Sequence, residues 1–285
     1  RSMREGWSRS RRSGIPPYHT PGGPCAERHG RISGPGVRFG APAKGRSPTQ
    51  VTAFRHGYAS SIVMSSILAL DQGTTGSTAL VVHQDGTLMG RGYREFTQHF
   101  PRPGWVEHDP EEIFRVSIDA MREAVARAGE QPAGLGITNQ REPVVLWDRQ
   151  TLQPVGPAIV WQDRRTSERC RELRESGVEP MLRERTGLVA DPYFSATKLE
   201  WLLRDEVLRK RAWRGELAAG TIESWIVARL TGGRVHVTDH TNASRTLLYG
   251  LASRSWDPEL LALFGVPREL LGDIVPSAGV VGEAA

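Results

Sequence analysis

The 285-residue sequence is poor in the residues that build unusual scaffolds. Only two cysteines occur, Cys25 and Cys170, and two isolated thiols make neither a disulfide framework nor a zinc site, a composition that fits a cytoplasmic protein. The longest nearly apolar run, Ser61 to Leu70, is far short of the roughly 20 residues that cross a bilayer, so no membrane span is expected. Lysine is nearly missing. Lys44, Lys198 and Lys210 are the whole set, and the arginine bias fits a GC-rich coding sequence better than a nucleic-acid-binding surface. The formal charge of +5 comes from 37 Lys+Arg against 32 Asp+Glu, but residues 1–63 alone hold 11 and 2 of these. The remaining 26 and 30 give residues 64–285 a net charge of −4, and no nucleic-acid partner is expected for that body. There is also no GxxxxGK[ST] loop, no complete GxGxxG and no protein-kinase catalytic loop, so any phosphate handling takes another form.

What is present divides in two. Residues 1–63 mix Arg, Gly, Pro and Ser without periodicity and cannot bury enough apolar area to offset the entropy of ordering them. They read as a disordered leader, an upstream region translated in frame, with the folded body starting at Met64. Arg11-Arg12 resembles a twin-Arg signal and the composition a transit peptide, but no apolar stretch follows the pair, and Gly and Pro oppose an amphipathic helix. From Ser66 the patterns sharpen. Residues 67–70, 78–83 and 87–96 read as three antiparallel strands, the last two joined at Asp85-Gly86. Asp109, Pro110 and Glu112 read as a capping box opening a helix whose apolar stripe is Ile113, Val116, Ser117, Ala120, Ala124 and Val125. Strands are expected at 133–140, 143–148 and 156–163, then helices near 164–176, 178–186, 197–204, 220–231 and 257–264. That order predicts an α/β domain, a mixed sheet with helices packed on it.

Two stretches carry chemistry. In Asp71-Gln72-Gly73-Thr74-Thr75 a glycine turn at a strand end aligns backbone amides toward phosphate oxygens, two hydroxyls add donors, and Asp71 is placed to hold Mg²⁺ through water. The same residues equally make a plain hairpin turn. In Asn139-Gln140-Arg141-Glu142 an adjacent guanidinium and carboxylate give neighbouring hydroxyls of a polyol both donors and an acceptor, or form an ordinary surface ion pair. Trp161 offers an apolar wall and Tyr193 a further hydroxyl, although each also reads as core.

Together with Gly136–Glu142, Ala158–Thr166, Asp191–Leu203, Gly220–Ile226 and Val237–Thr246, the Asp71–Thr75 turn resembles the glycerol kinases of the FGGY carbohydrate kinase family, from about Ser66 to the last residue. The resemblance implies an actin-like, ribonuclease-H-like ATPase fold and phosphorylation of glycerol to sn-glycerol 3-phosphate with ATP and Mg²⁺. It assigns Thr74, Thr75 and Gly76 to the nucleotide phosphates, Arg141, Glu142, Tyr193 and Trp161 to glycerol, and Asp71 to the water-held Mg²⁺. It also marks departures. Gly76 and Thr78 stand where the family often has Ser and a nucleotide-contacting Arg, and His240 stands where a tyrosine is common. The family's Gly-Asp-Gln motif, with its general-base Asp, does not occur in the sequence, nor does the second, adenosine-holding domain. The expectation is therefore an N-terminal fragment inactive alone, with a homo-oligomer left open for the full-length protein. Another FGGY polyol kinase, or a non-catalytic glycerol-binding half-protein, are the alternatives.

Overall fold

The computed structural model describes residues 66–284, so the leader expected at 1–63 lies outside the described residues. Strands β1 (Ser66–Gln72), β2 (Gly76–His83) and β3 (Leu88–Glu95) are antiparallel neighbours, as their alternation and the Asp85-Gly86 turn require. A two-residue strand β4 (Glu107–His108) precedes helix α1 (Pro110–Ala128), and β5 (Gly134–Asn139) then joins β1 in parallel. The resulting sheet has the order β3-β2-β1-β5 and is mixed, as expected.

Helix α1 begins where the sequence directs. Asp109 accepts from the Glu111 amide at 2.9 Å, Pro110 occupies the first turn, and Gly129 ends the helix in the left-handed region at φ 71°. The expected capping box is incomplete, because Glu112 does not return to the cap and instead accepts from the Thr97 amide at 3.1 Å. The predicted stripe faces the sheet, with Val125 at its margin. It comes unusually close. A Cβ on Gly90 or Gly92 of β3 would stand 2.1 or 2.0 Å from the carbonyl oxygens of Ala124 and Ala120, so only glycine lets the helix backbone lie directly on the strand.

The rest of the chain follows as β6 (Val145–Asp148), β7 (Ala158–Ile159), α2 (Ser167–Glu175), α3 (Glu179–Thr186), α4 (Ser195–Leu202), α5 (Glu206–Trp213), β8 (Leu217–Gly220), α6 (Ile222–Leu230), β9 (Val237–Asp239), α7 (His240–Ala243), β10 (Tyr249–Gly250), β11 (Ser255–Trp256), α8 (Pro258–Phe264) and β12 (Asp273–Val275). The expected strand at 156–163 shrinks to two residues paired with β4, and β6 pairs with β8 instead of entering the main sheet. Helix α5 and strand β8 were not expected. The former has a weak apolar stripe behind its Asp205 cap, and Leu217–Gly220 contains no β-branched residue to signal a strand.

The β6–β8 ribbon is buried on both faces and separates two cores. Val145, Trp147 and Ala218 face Leu70, Val81, Ile113, Trp225 and Ile226, whereas Leu146, Leu217 and Ala219 face Leu173, Leu199, Leu247 and Phe264. Period-two alternation thus feeds one apolar set to each side.

Gly92→Ala is expected to lower stability by about 3 kcal/mol, because the obstructing atoms are helix backbone that cannot turn aside. Gly136→Ala, with no atom within 4 Å of its added carbon, should leave stability nearly unchanged. Urea unfolding midpoints of the two variants test the contrast.

Candidate active site

Parallel pairing places the end of β1 beside the end of β5, with Gln72 opposite Asn139. The Gly73–Thr75 turn and the Gln140–Glu142 segment therefore leave the sheet at the same edge, where ligands of α/β sheets are commonly held. The turn is closed by the Gly73 amide donating to the Gly76 carbonyl at 3.0 Å, so that amide is engaged while those of Thr74 and Thr75 find no acceptor among the described residues. Gly76 is demanded by packing. A Cβ there would stand 2.7 Å from the Arg94 carbonyl and 2.8 Å from the Tyr93 ring.

Beneath the turn lies a buried relay of amides and one imidazole. Gln72 and Gln140 donate through Nε2 to the Gly73 carbonyl at 2.7 and 3.3 Å, and Gln98 donates to the Thr74 carbonyl at 2.9 Å. His108 sits between the last two, its Nε2 donating to Gln98 Oε1 at 2.7 Å and its Nδ1 accepting from Gln140 Nε2 at 3.4 Å. That arrangement needs a neutral ring. Burial, helped by nearby His99, lowers its pKa from 6.5 to about 4.

From the turn a string of contacts runs to the carboxylate. The Trp161 indole donates to Thr74 Oγ1 at 3.1 Å, the Trp161 and Tyr193 rings lie 5.4 Å apart, and the Arg245 guanidinium lies 5.6 Å from the Tyr193 ring. Arg245 Nε then donates to Glu142 Oε1 at 2.8 Å. Glu142 is buried, and its Oε2 has no partner among the described residues. The Arg141 and Thr75 side chains are exposed and have no partner among the described residues, although the Thr75 carbonyl accepts from the Phe96 amide at 3.3 Å, and Asp71 projects from the sheet in a row with Thr78 and Thr138. Among the described residues no group of three or more His, Cys, Asp or Glu side chains is arranged to hold a metal.

The segment bearing Trp161 is anchored by Arg165, which donates to Glu107 at 2.6 Å and to Asp163 at 2.8 Å with its guanidinium 3.6 Å from the Trp105 ring centroid. The Asn139 side chain donates to Glu223 Oε2 at 2.8 Å, so it serves the scaffold. Glu223 forms no ion pair among the described residues and collects Thr221 and Thr238 hydroxyls, and burial raises its pKa. Arg245, Gln98 and His108 are the site-forming residues that sequence reading missed. Arg245 lies in the quoted Val237–Thr246 stretch, but no local spacing ties it to Glu142 more than a hundred residues earlier.

The profile of the FGGY family of carbohydrate kinases, N-terminal domain, matches residues 66–285. The chain belongs to this family. The chain is similar to glycerol kinases of Alkalilimnicola ehrlichii, 55% identical over 224 residues (77% of this chain and 45% of that protein), and of Trichlorobacter lovleyi, 56% identical over 227 residues (78% and 46%). Among solved structures it is similar to Plasmodium falciparum glycerol kinase with ADP, at a TM-score of 0.74 and 31% identity, covering 78% of this chain and 45% of that one. The FGGY chain thus has the expected actin-like ATPase fold and spans about half the length of the relatives it matches.

An imidazole titrating near 4 in the fold and near 6.5 unfolded leaves the native state with fewer bound protons across that interval, so acidification through it favours unfolding. His108→Gln should reduce the pH dependence of the unfolding free energy between those values by about one proton, measured by denaturant titrations at successive pH.

Proposed function

We propose that this domain binds glycerol and the phosphates of ATP and, in the full-length protein, takes part in transfer of the γ-phosphoryl group to a terminal glycerol hydroxyl, giving sn-glycerol 3-phosphate. The observation that carries the reading is the Trp161–Thr74 hydrogen bond. It joins the apolar wall offered to the glycerol carbons to the hydroxyl offered to the phosphates, which is the proximity phosphoryl transfer demands.

In this reading Arg141 donates to the glycerol hydroxyls, Glu142 accepts from one through its free Oε2, and Tyr193 and Trp161 enclose the carbons. The free amides of Thr74 and Thr75, with both hydroxyls, receive the phosphate oxygens, and Gly76 keeps the turn tight. Asp71, an exposed carboxylate without a partner among the described residues, would hold Mg²⁺ through water. A single carboxylate suits an ion that keeps most of its water and takes its other ligands from phosphate. Mg²⁺ would neutralise charge on the transferring group, and the proton acceptor comes from outside this domain. The same reading takes residues 64–285 as the kinase N-terminal domain, places the protein in the cytoplasm, and excludes nucleic acid as a partner. The net negative charge of residues 64–285 supports the last point, and among the described residues no helix is long and apolar enough to cross a membrane.

Arg141→Ala is expected to weaken glycerol binding about 10- to 150-fold, the equivalent of roughly 1.5–3 kcal/mol for a lost charge-assisted hydrogen bond. Calorimetric titration of glycerol into both forms checks it, and equal affinities would remove Arg141 from the site. Displacement of glycerol by a pentulose at lower concentration would move the assignment to another FGGY substrate.

A further inference from the structure

Of the two lysines among the described residues, Lys210 is exposed and Lys198 is fully buried. Lys198 lies on α4, and its side chain turns back past the helix start so that Nζ donates to the carbonyls of Pro192 at 2.6 Å, Tyr193 at 2.8 Å and Phe194 at 3.1 Å. An ammonium has three protons, and all three go to one three-residue stretch centred on Tyr193. The placement is otherwise unfavourable. A cation near a helix N-terminus meets the positive end of the dipole, and a buried one loses its hydration. The groups that face it are Asp163 from the segment after β7, Glu142 from the segment after β5, Asp191 from its own loop and Cys170 from α2.

We propose that Lys198 is a positioning residue of the polyol site, its ammonium fixing the backbone of Tyr193 so that the ring stays against Trp161 and Arg245. The proposal rests on the polyol reading of that site. A planar guanidinium cannot converge on three successive carbonyls as a tetrahedral ammonium does, and an apolar replacement leaves all three without a donor.

Burial draws the Lys198 pKa from 10.5 down to about 7. Loss of the proton removes a donor from the clamp, so glycerol affinity falls as pH rises through that value. Fold stability moves the other way. The unfolded lysine keeps its proton up to 10.5, so between the two values the unfolded state binds more protons and the fold gains stability with pH. A merely structural lysine would give the second trend without the first. Cys170 stays silent over this range because burial raises its thiol to about 11.

The experiment is glycerol titration of the full chain from about pH 6 to about pH 9, with lysine ¹³Cε resonances followed over the same range, readable because only three lysines occur. We expect affinity to fall about tenfold with the midpoint of the Lys198 resonance, and Lys198→Met to bind weakly at every pH. Affinity that stays flat while Lys198 titrates overturns the proposal. If Lys198→Met does not fold, the pH series of the unsubstituted chain decides alone. If the unsubstituted chain binds no glycerol at any pH, the polyol reading fails, and hydrogen exchange then judges the clamp. A fall in the protection of the Tyr193 and Phe194 amides, taken relative to their base-catalysed intrinsic rates, as Lys198 loses its proton upholds it, and unchanged protection overturns it.

Discussion

The parallel pairing of β1 with β5 is the constraint on which the site depends. Two parallel strands end on the same side of a sheet, so the turn after Gln72 and the segment after Asn139 must emerge together. Antiparallel pairing would have put them at opposite ends. The crossover that parallel pairing requires is α1, and α1 reaches its place only because Gly90 and Gly92 let its backbone touch β3. The site is positioned by backbone geometry before any polar side chain acts.

Polar side chains then divide into those that hold and those that are held ready. Gln72, Gln98, Gln140 and His108 give their hydrogen bonds to the carbonyls of the turn and to each other, and Arg165 ties down the Trp161 segment. The side chains of Arg141, Thr75 and Asp71 and one oxygen of Glu142 have no partner among the described residues. Unpaired polar groups on a rigid base are pre-ordered for a ligand, since little entropy remains to be lost when it arrives.

Much of this was legible in the sequence, for reasons that also explain the gaps. The first three strands and α1 are local: alternation, an Asp-Gly turn, an Asp-Pro cap and a 3.6-residue stripe lie within a few residues of each other. Arg141, Glu142, Trp161 and Tyr193 stood out because their side chains suit a polyol. Arg245 was invisible because its partner, Glu142, is brought to it only by the tertiary fold. His108 and Gln98 looked like ordinary loop residues, and nothing nearby marks their joint burial. Nothing local marks the task of Asn139, which the fold sets to satisfying the buried Glu223 carboxylate. Strand β8 escaped because its small residues pack well between two cores while showing no propensity of their own.

The ribbon of β6 and β8 carries a consequence for cooperativity. The Gly73–Thr75 turn is rooted in the core that holds Leu70, whereas Tyr193 and Phe194 rest on the core that holds Leu199. The two halves of the site thus belong to different hydrophobic cores, and the ribbon is the wall common to both. Loosening either core disturbs that wall and with it the footing of the opposite half, so neither half can open as an independent local unfolding unit. A site built across such a seam is either assembled as a whole or lost as a whole.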